Sequence, residues 1–480
     1  MPFVLAELLK GAGARKPPVL TVEGVNSDSR AIGAGEVFFA MPGTKVHGDS
    51  FAGQARQRGA IAMISDRKPA EDPGIPVVIV KDVRRAYASA ASRVFPAQPD
   101  TPVAVTGTNG KSSTVSYVRQ IWAYCGLKAA SMGTVGIETS DGILPGELTT
   151  PDPLTLHRDL AMLKARGIDH VAMEASSQGL DQRRIDGLRF KAVAFTNLSR
   201  DHLDYHIDMS TYREAKLRLF RDLIAEGGSA VVNSDDEEHM PFLFAALDRG
   251  ATLLTVGREG AFFEISNIIN EGFGQHVVGR MVGEPASFKL PLTGDFQVSN
   301  AVVALALAVS TGAPPQKALE ALNTLKGAKG RMELVAEHNG AAIFVDYSHK
   351  PAALESALNS LRPFAKKKLH LVFGAGGDRD RGKRPLMGEV AQRLADKVIV
   401  TDDNPRTEDP QLIRTQILAE VPKADEIGDR RKAIETAIRN LKPGDALLIA
   451  GKGHEDYQII GDTKHHFSDH EVVLETLKGL

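Results

Sequence analysis

Lys111 follows Gly107-Thr108-Asn109-Gly110 and precedes Ser112 and Ser113, at the end of the apolar, β-branched run Val103-Ala-Val-Thr. A glycine-rich turn between a buried strand and a helix aims backbone N–H groups at one point, where the helix N-terminus adds partial positive charge and a lysine adds a full one. That point suits a polyphosphate. Ser112 stands where a Walker-type loop places the hydroxyl that ligates Mg²⁺. The general pattern G-x-x-x-x-G-K-[ST] would put its first glycine at position 105, which is Val105, so the loop is a shortened form. The helix that must follow is legible: Val115, Val118, Trp122 and Cys125 recur at helical spacing, and Gly126 is placed to end it.

Further candidate groups sit where other apolar runs stop. Glu174 closes HVAME and His202 lies in SRDHLD after AVAFTN, so both are strand-end groups able to ligate Mg²⁺. In TYREAKLRLFRDLI the spacing predicts a helix opened by a capping box, Thr211 with Glu214, and carrying an apolar face of Tyr212, Ala215, Leu219 and Leu223. Lys216 falls near the edge of that face, where a lysine is ordinarily a solvated charge.

The elements that hold these residues follow from the pattern of runs. HVAME, AVAFT and SAVVN in the middle of the chain, and IFVDYSHKP, LHLVFGAGGDRDRGKRP, KVIVTDDNPRTEDP and ALLIAGKGHEDY in the last part, are apolar runs ending in polar loops and separated by helical segments. This is the pattern of βαβ units and parallel sheets, in which ligands bind beyond the carboxyl ends of the strands. GAGGD at 374–378 lacks the third glycine of a dinucleotide fingerprint, which weakens a nicotinamide reading.

Three prolines in FPAQPDTP mark a linker over 95–102, and GAKGRME at 327–333 marks a second boundary before a new strand at 341–345. The expected α/β domains are therefore 1–96, 97–328 and 329–480. A length of 480 residues allows three cores, and 42% hydrophobic with 25% charged residues is an ordinary globular composition. The net charge of −2 gives no reason to expect a nucleic-acid partner, and the single cysteine excludes an internal disulfide and a thiolate zinc site. MPFVLAELLK resembles a short amphipathic helix more than a leader, and the longest apolar run, 301–309, is too short to span a bilayer. A cytoplasmic location without membrane insertion is expected.

GTNGKSS, EASS, DHLDYH, YREAK, GRME, DYSHKPAALE, GGDRDRGKRP, DDNPR and GKGHEDY, in this order, resemble the Mur ligase family from about residue 24 to residue 460. The shortened phosphate loop is that family's own form. The resemblance implies a small N-terminal domain binding a UDP-linked substrate, a central P-loop-type ATPase domain with a mostly parallel sheet, and a C-terminal Rossmann-like domain binding an amino acid. It implies an ATP-dependent ligase acting through an acyl phosphate, taken as a monomer.

Carried onto this sequence, the resemblance makes Gly107, Thr108, Asn109, Gly110, Lys111, Ser112 and Ser113 the phosphate cradle, with Lys111 on the β- and γ-phosphates and Ser112 on a first Mg²⁺. Glu174 and His202 would hold a second Mg²⁺ together with Lys216, converted by CO₂ to a carbamate. Asn300 would meet adenine, Arg331 and Asp346 the nucleotide, and His349 matches a histidine of a DYAHTP-like motif in which Ser348 and Lys350 replace the usual neighbours. Ser29, Thr44, Lys45 and Val46 would contact the nucleotide of the UDP substrate, and Thr149, Thr150, Ser176, Gln182 and Arg184 its muramoyl-peptide part. Leu148 stands where some relatives carry a polar binding residue. Arg379, Asp403, Asn404, Pro405, Arg406, Gly451 and Glu455 would bind the incoming amino acid. An arginine at 406 favours meso-2,6-diaminopimelate, whose distal carboxylate it grips and whose absence in lysine leaves an ammonium facing a like charge. The implied reaction adds this amino acid to UDP-N-acetylmuramoyl-L-alanyl-D-glutamate; addition of L-lysine or another amino acid, and a non-catalytic nucleotide switch, are the alternatives.

Overall fold

The structure is a computed structural model and describes residues 2–14, 17–43, 46–146, 148–203 and 205–480. Thr44 and Lys45 lie outside the described residues. The chain divides into two compact units, Met1–Phe262 with Val303–Ala318, and Phe263–Val302 with Leu319–Leu480.

Besides the antiparallel pair Phe3–Val4 with Thr21–Val22, the described residues of the first unit hold two larger sheets. Gly24–Asn26, Glu36–Phe39, Ala62–Ser65 and Val77–Ile79 pair in parallel in that order. The helix Val83–Val94, capped by Asp82 accepting from the Arg85 N–H, covers them through Val83, Ala86, Tyr87 and Ala90. The expected amphipathic helix at the start is only Leu5–Leu8, preceded by the short strand Phe3–Val4. The larger sheet runs Ala129–Gly133, His170–Glu174, Thr101–Thr106, Phe190–Phe195, Ile224–Asn233 and Thr252–Gly257, all parallel. Gly136–Thr139 and Gly142–Leu144 extend one edge antiparallel. Near-continuous burial of runs such as HVAME, His170–Glu174, is what a sheet covered on both faces requires.

Three local expectations need correction. The linker ends earlier than the prolines indicated, because the strand starts at Thr101 and includes Pro102. Pro102 lies opposite Val171, while pairing with the other neighbour begins only at Val103, so the missing N–H falls at the start of the strand. The helix Met209–Arg218 is capped by Asp208, whose carboxylate accepts from Thr211 N at 2.8 Å while Thr211 Oγ1 accepts in return from Asp208 N at 3.2 Å; Thr211 is the third helical position and not the cap. Lys216 is not at the edge of the apolar face but 1% exposed.

In the second unit, Ala341–Asp346, Ala446–Ala450, Leu369–Phe373, Lys397–Val400 and Asp425–Glu426 form a parallel sheet in that order. Glu333–His338, an antiparallel edge strand that the sequence reading missed, pairs with Ala341–Asp346. The antiparallel meander Phe263–Glu271, Gly274–Met281 and Glu284–Leu290 was also unforeseen. Its strands expose alternate residues and so lack the continuous apolar runs by which the parallel strands announced themselves. Arg430 and Asp469, both 0% exposed at their side chains, join the helices Arg430–Arg439 and Asp469–Lys478 with hydrogen bonds of 2.7 Å. Among the described residues no helix is long and apolar enough to cross a membrane.

His157 lies inside the helix Pro153–Ala165, with Nδ1 2.5 Å from Gln98 Nε2 and Nε2 without a partner among the described residues. Burial lowers its pKa from 6.5 to about 4. The unfolded chain therefore binds one more proton than the native chain between these values, so stability rises with pH across the window and is lost as the medium is acidified from 6.5 toward 4. Thermal unfolding measured across that window is expected to show His157→Leu with a flatter pH dependence than the wild type.

Candidate functional site

The phosphate loop links the strand Thr101–Thr106 to the helix Lys111–Tyr124, with Gly110 in left-handed conformation at the N-cap. It is braced by the neighbouring strand end. Asn109 N donates to Asn197 Oδ1 at 2.9 Å, Thr108 N to Asn197 O at 2.8 Å, and Thr196 Oγ1 to Asn109 O at 2.7 Å. Gly107 packs so closely that a Cβ there would overlap Thr196 Oγ1, which fixes glycine at this position. Thr108 is anchored through Oγ1, which accepts from Ser199 N at 2.9 Å and lies 3.1 Å from the Tyr212 hydroxyl. Lys111 Nζ donates to Gly107 O and Thr108 O at 2.9 and 2.8 Å, so its ammonium lies over the mouth of its own loop. Ser113 is buried one position beyond Ser112.

Glu174 ends its strand 2% exposed. Its Oε1 accepts from Ser112 Oγ at 2.9 Å and from Thr134 N at 2.8 Å, both neutral donors. A buried carboxylate beside a hydroxyl, at the foot of a phosphate loop, is a hard oxygen pair of the kind Mg²⁺ takes. Among the described residues no group of three or more His, Cys, Asp or Glu is arranged to hold a metal ion, so hydroxyl and phosphate oxygens would have to complete such a site. His202 has φ 54, its ring centroid 6.1 Å from that of Tyr212 and its Nε2 3.7 Å from Asp201 Oδ2.

Lys216 Nζ donates to Gly107 O at 2.7 Å and sits 4.4 Å from the Tyr212 ring centroid. Burial first, and then the Lys111 charge, push its pKa well below that of an ordinary lysine, with Asp201 opposing. A lysine so placed favours the neutral amine, which is its nucleophilic form.

The residues expected to meet a muramoyl peptide form one connected group. Thr149 Oγ1 lies 3.0 Å from Thr134 Oγ1; Thr150 Oγ1 donates to Glu174 O at 3.0 Å and accepts from Ser176 N at 3.1 Å. Arg184 Nη1 donates to Thr150 O at 2.8 Å, and its Nη2 to Gln182 Oε1 at 2.8 Å. Ser29 Oγ donates to Gln54 Oε1 at 2.6 Å, and Val46 is exposed.

In the second unit the turn after Lys397–Val400 carries Asp403, Asn404, Pro405 and Arg406, with Arg406 at φ 53. Asn404 Nδ2 donates to Glu455 Oε2 at 3.0 Å, and Asn404 Oδ1 accepts from Lys452 Nζ and Ile459 N, each at 3.0 Å. Gly451 packs against Asp403, where a Cβ would lie 2.5 Å from Oδ2, an oxygen without a hydrogen-bond partner among the described residues. Burial, then the Asp403 charge, raise the Glu455 pKa. Arg406 Nη1 donates to Gly377 O at 2.8 Å, and Arg379 is exposed in the same loop. That loop is tied to the turn by Glu408, which accepts from Asp378 N at 2.6 Å and from the buried Arg384 at 2.9 Å. Asp346 Oδ2 accepts from Met332 N at 2.7 Å, the Arg331 guanidinium lies 4.8 Å from the Tyr347 ring, and His349 Nδ1 is 2.8 Å from Tyr347 O. Asn300 is buried on the helix Asp295–Ser310.

The structure thus brings Lys111, Ser112, Glu174 and Lys216 together in one unit, and Asp403, Asn404, Arg406, Gly451 and Glu455 in the other. Sequence reading missed the braces: Thr196, Asn197, Thr134, Lys452 and Glu408. Lys452 stood inside GKGHEDY, but its 0% exposure has no sequence signal.

Comparison with known proteins gives three matching family models: the Mur ligase family catalytic domain over 21–95, the Mur ligase middle domain over 105–308, and the Mur ligase glutamate ligase domain over 330–453. The UDP-N-acetylmuramoyl-L-alanyl-D-glutamate--2,6-diaminopimelate ligase of Chelativorans sp. (strain BNC1) is 51% identical over 95% of this chain and 95% of its own. The protein of that name from Brucella melitensis is 51% identical over 95% and 94%. A solved structure of a ligase of the same name superposes with a TM-score of 0.73 at 32% identity, covering 100% of this chain and 99% of that one. MurF from Acinetobacter baumannii shares the fold at a TM-score of 0.62 and 18% identity. The chain belongs to the Mur ligase family.

Proposed function

We propose that this chain is an ATP-dependent, ADP-forming ligase that joins meso-2,6-diaminopimelate to UDP-N-acetylmuramoyl-L-alanyl-D-glutamate, a cytoplasmic step of peptidoglycan precursor synthesis performed by the monomer. The observation that carries this reading is the turn Asp403–Arg406, where one guanidinium, held by Gly377 O, and one half-buried carboxylate, Glu455, held by Asn404, belong to the same loop cluster. An amino acid with a carboxylate at its far end and an amine to deliver matches that pair of charges. The names of the relatives at 51% identity support the same substrate. In this reading residues 1–96 hold the UDP end, 97–328 the ATP and 329–480 the amino acid.

The chemistry explains the division of labour. A carboxylate does not accept an amine near neutral pH until one of its oxygens has been made a leaving group. The substrate carboxylate takes the γ-phosphoryl group of ATP and ADP leaves. The amine, having lost a proton, then attacks the acyl carbon, and the bond to phosphate breaks as the amide bond forms. The protein positions the reactants and balances charge.

Lys111 and the loop N–H groups of 107–113 would cradle the triphosphate. Mg²⁺ would be held at Ser112, and a second at Glu174, His202 and Lys216 as a carbamate, supplying charge neutralisation to the phosphates. The neutral Lys216 amine would add to CO₂, forming an N–C bond and releasing a proton, which turns a buried cation into an anion beside these groups. Asn300, Arg331 and Asp346 would meet the nucleotide, with His349 beside it; Ser29, Thr44, Lys45 and Val46 the uridine end; and Thr149, Thr150, Ser176, Gln182 and Arg184 the muramoyl peptide. Arg379, Asn404 and Arg406 would grip diaminopimelate while Gly451 and Glu455 receive its amine.

Three outcomes test this. ADP release by the purified protein is expected to require both the UDP-linked dipeptide and meso-diaminopimelate, with little release when L-lysine replaces the latter. Equal turnover with L-lysine would overturn the specificity, and release with neither substrate would leave a simple nucleotide hydrolase. Arg406→Ala is expected to raise the KM for diaminopimelate by about 10-fold or more with the KM for ATP unchanged. Lys216→Met is expected to lower kcat about 100-fold or more, and removal of dissolved CO₂ to lower wild-type activity reversibly; activity indifferent to CO₂ would count against the carbamate.

A further inference from the structure

Two loops of the second unit are fastened to each other at the residues that flank their arginines. The loop after Leu369–Phe373 carries Arg379, the turn after Lys397–Val400 carries Arg406, and the two strands pair in parallel. The Asp378 carboxylate, directly before Arg379, accepts from Thr407 N at 3.1 Å and from Thr407 Oγ1 at 2.8 Å, and Thr407 directly follows Arg406. In the other direction Glu408 Oε1 accepts from Asp378 N at 2.6 Å. Each loop thus lends a carboxylate to the residue beside the other loop's arginine. The backbones are equally close: Gly377 N donates to Asn404 O at 2.9 Å, and a Cβ on Gly377 would overlap Pro405 O.

Arg384 makes this fastening rigid. It stands in the first turn of the helix Lys383–Leu394 with its side chain 0% exposed, and it donates to Glu408 from both ends, Nη2 to Oε1 at 2.9 Å and Nη1 to Oε2 at 3.1 Å. Such a bidentate pair fixes direction as well as distance. The same guanidinium donates to Gly376 O at 3.1 Å and to Gln416 Oε1 at 2.9 Å on the helix Pro410–Leu418, so one buried group joins both loops to two helices. Arg384 chiefly, and then the Asp378 N–H, lower the Glu408 pKa from 4.5 to about 2, so the carboxylate keeps its charge near neutral pH. Arg381, the other cation on Glu408, is 68% exposed, and a pair so open to water adds little.

A diamino diacid carries a carboxylate at each end, at a separation set by its chain length, and the ligase reading gives Arg379 and Arg406 to such a substrate. Guanidinium groups on two loops free to move apart would accept several lengths; on loops locked together they favour one. We propose that Glu408, clamped by Arg384, is a positioning residue that fixes Arg379 relative to Arg406 and so sets the length of diamino diacid the enzyme takes. Glu408 acts through the two arginines and not by touching the substrate. The inference rests on the ligase reading above and deepens it.

Rates of ADP release by the full chain, with ATP, the UDP-linked dipeptide and either meso-diaminopimelate or its homologues one carbon shorter and one carbon longer, test it. The wild type should prefer meso-diaminopimelate. Glu408→Gln keeps an acceptor for Asp378 N and removes the charge that Arg384 holds. It is expected to raise the KM for meso-diaminopimelate about 10- to 100-fold with the KM for ATP unchanged, and to shrink the preference over the two homologues about 10-fold. Because a buried arginine deprived of its carboxylate can prevent folding, Thr407→Val, at an exposed position, decides where Glu408→Gln does not fold. It removes the hydroxyl bond to Asp378 and is expected to raise the same KM about 3- to 10-fold, with Thr407→Ser restoring it. An unchanged KM and length preference in the folded variant would overturn the proposal. So would an equal loss with all three diacids, which would make Glu408 a support of the fold and nothing more. Failure of the wild type to use any of the three would instead reject the ligase reading, which separates the two failures.

Discussion

One carbonyl oxygen organises the centre of the first unit. Gly107 O accepts from both Lys111 Nζ, at 2.9 Å, and Lys216 Nζ, at 2.7 Å. Two ammonium ions cannot share one acceptor in a buried place without a large electrostatic cost, because the interior screens their repulsion far less than water does. The strain is relieved on the more buried partner, whose proton is the easier to lose. The phosphate loop thereby keeps its cation at the mouth and weakens the hold on the proton of the amine beneath it. That carbonyl is where it is because Gly107 has no side chain to collide with Thr196.

The same economy appears in the second unit, where charge is arranged around a neutral amide. Asn404 accepts from Lys452 on one side and donates to Glu455 on the other, so its orientation is fixed by two donors and one acceptor that cannot exchange roles. Arg406 is held by a backbone carbonyl, which leaves its charge available. His202, Asp378 and Arg406, in loops that follow strands, have positive φ, as does Met332 just before the strand Glu333–His338. Backbone in this region is costly for residues with a Cβ, and it is sustained by the surrounding hydrogen bonds.

Much of this was legible in sequence, for a specific reason at each place. The helix Lys111–Tyr124 ended as its spacing predicted, with Gly126 at φ 88, because periodicity and a terminal glycine are local properties. The strand-end positions of Glu174 and of the DDNPR turn followed from apolar runs that both faces of a parallel sheet demand. The antiparallel meander of 263–290 and the edge strand Glu333–His338 escaped because half-exposed strands mix polar and apolar residues and mimic loops. Asp208 was passed over as a cap because Thr211 and Glu214 offered the same chemical pattern three residues later.

By itself the sequence determined the α/β class, the phosphate loop, the order of the motifs and the choice of arginine at 406, since each depends on residue type and spacing along the chain. Tertiary structure alone decided that Lys216 is buried beneath Gly107, that Glu174 meets Ser112, and that Arg384 clamps Glu408. Charge state, hydrogen-bond partners and cavities are set by what distant segments bring within a few ångströms, and a one-dimensional pattern carries no measure of that distance.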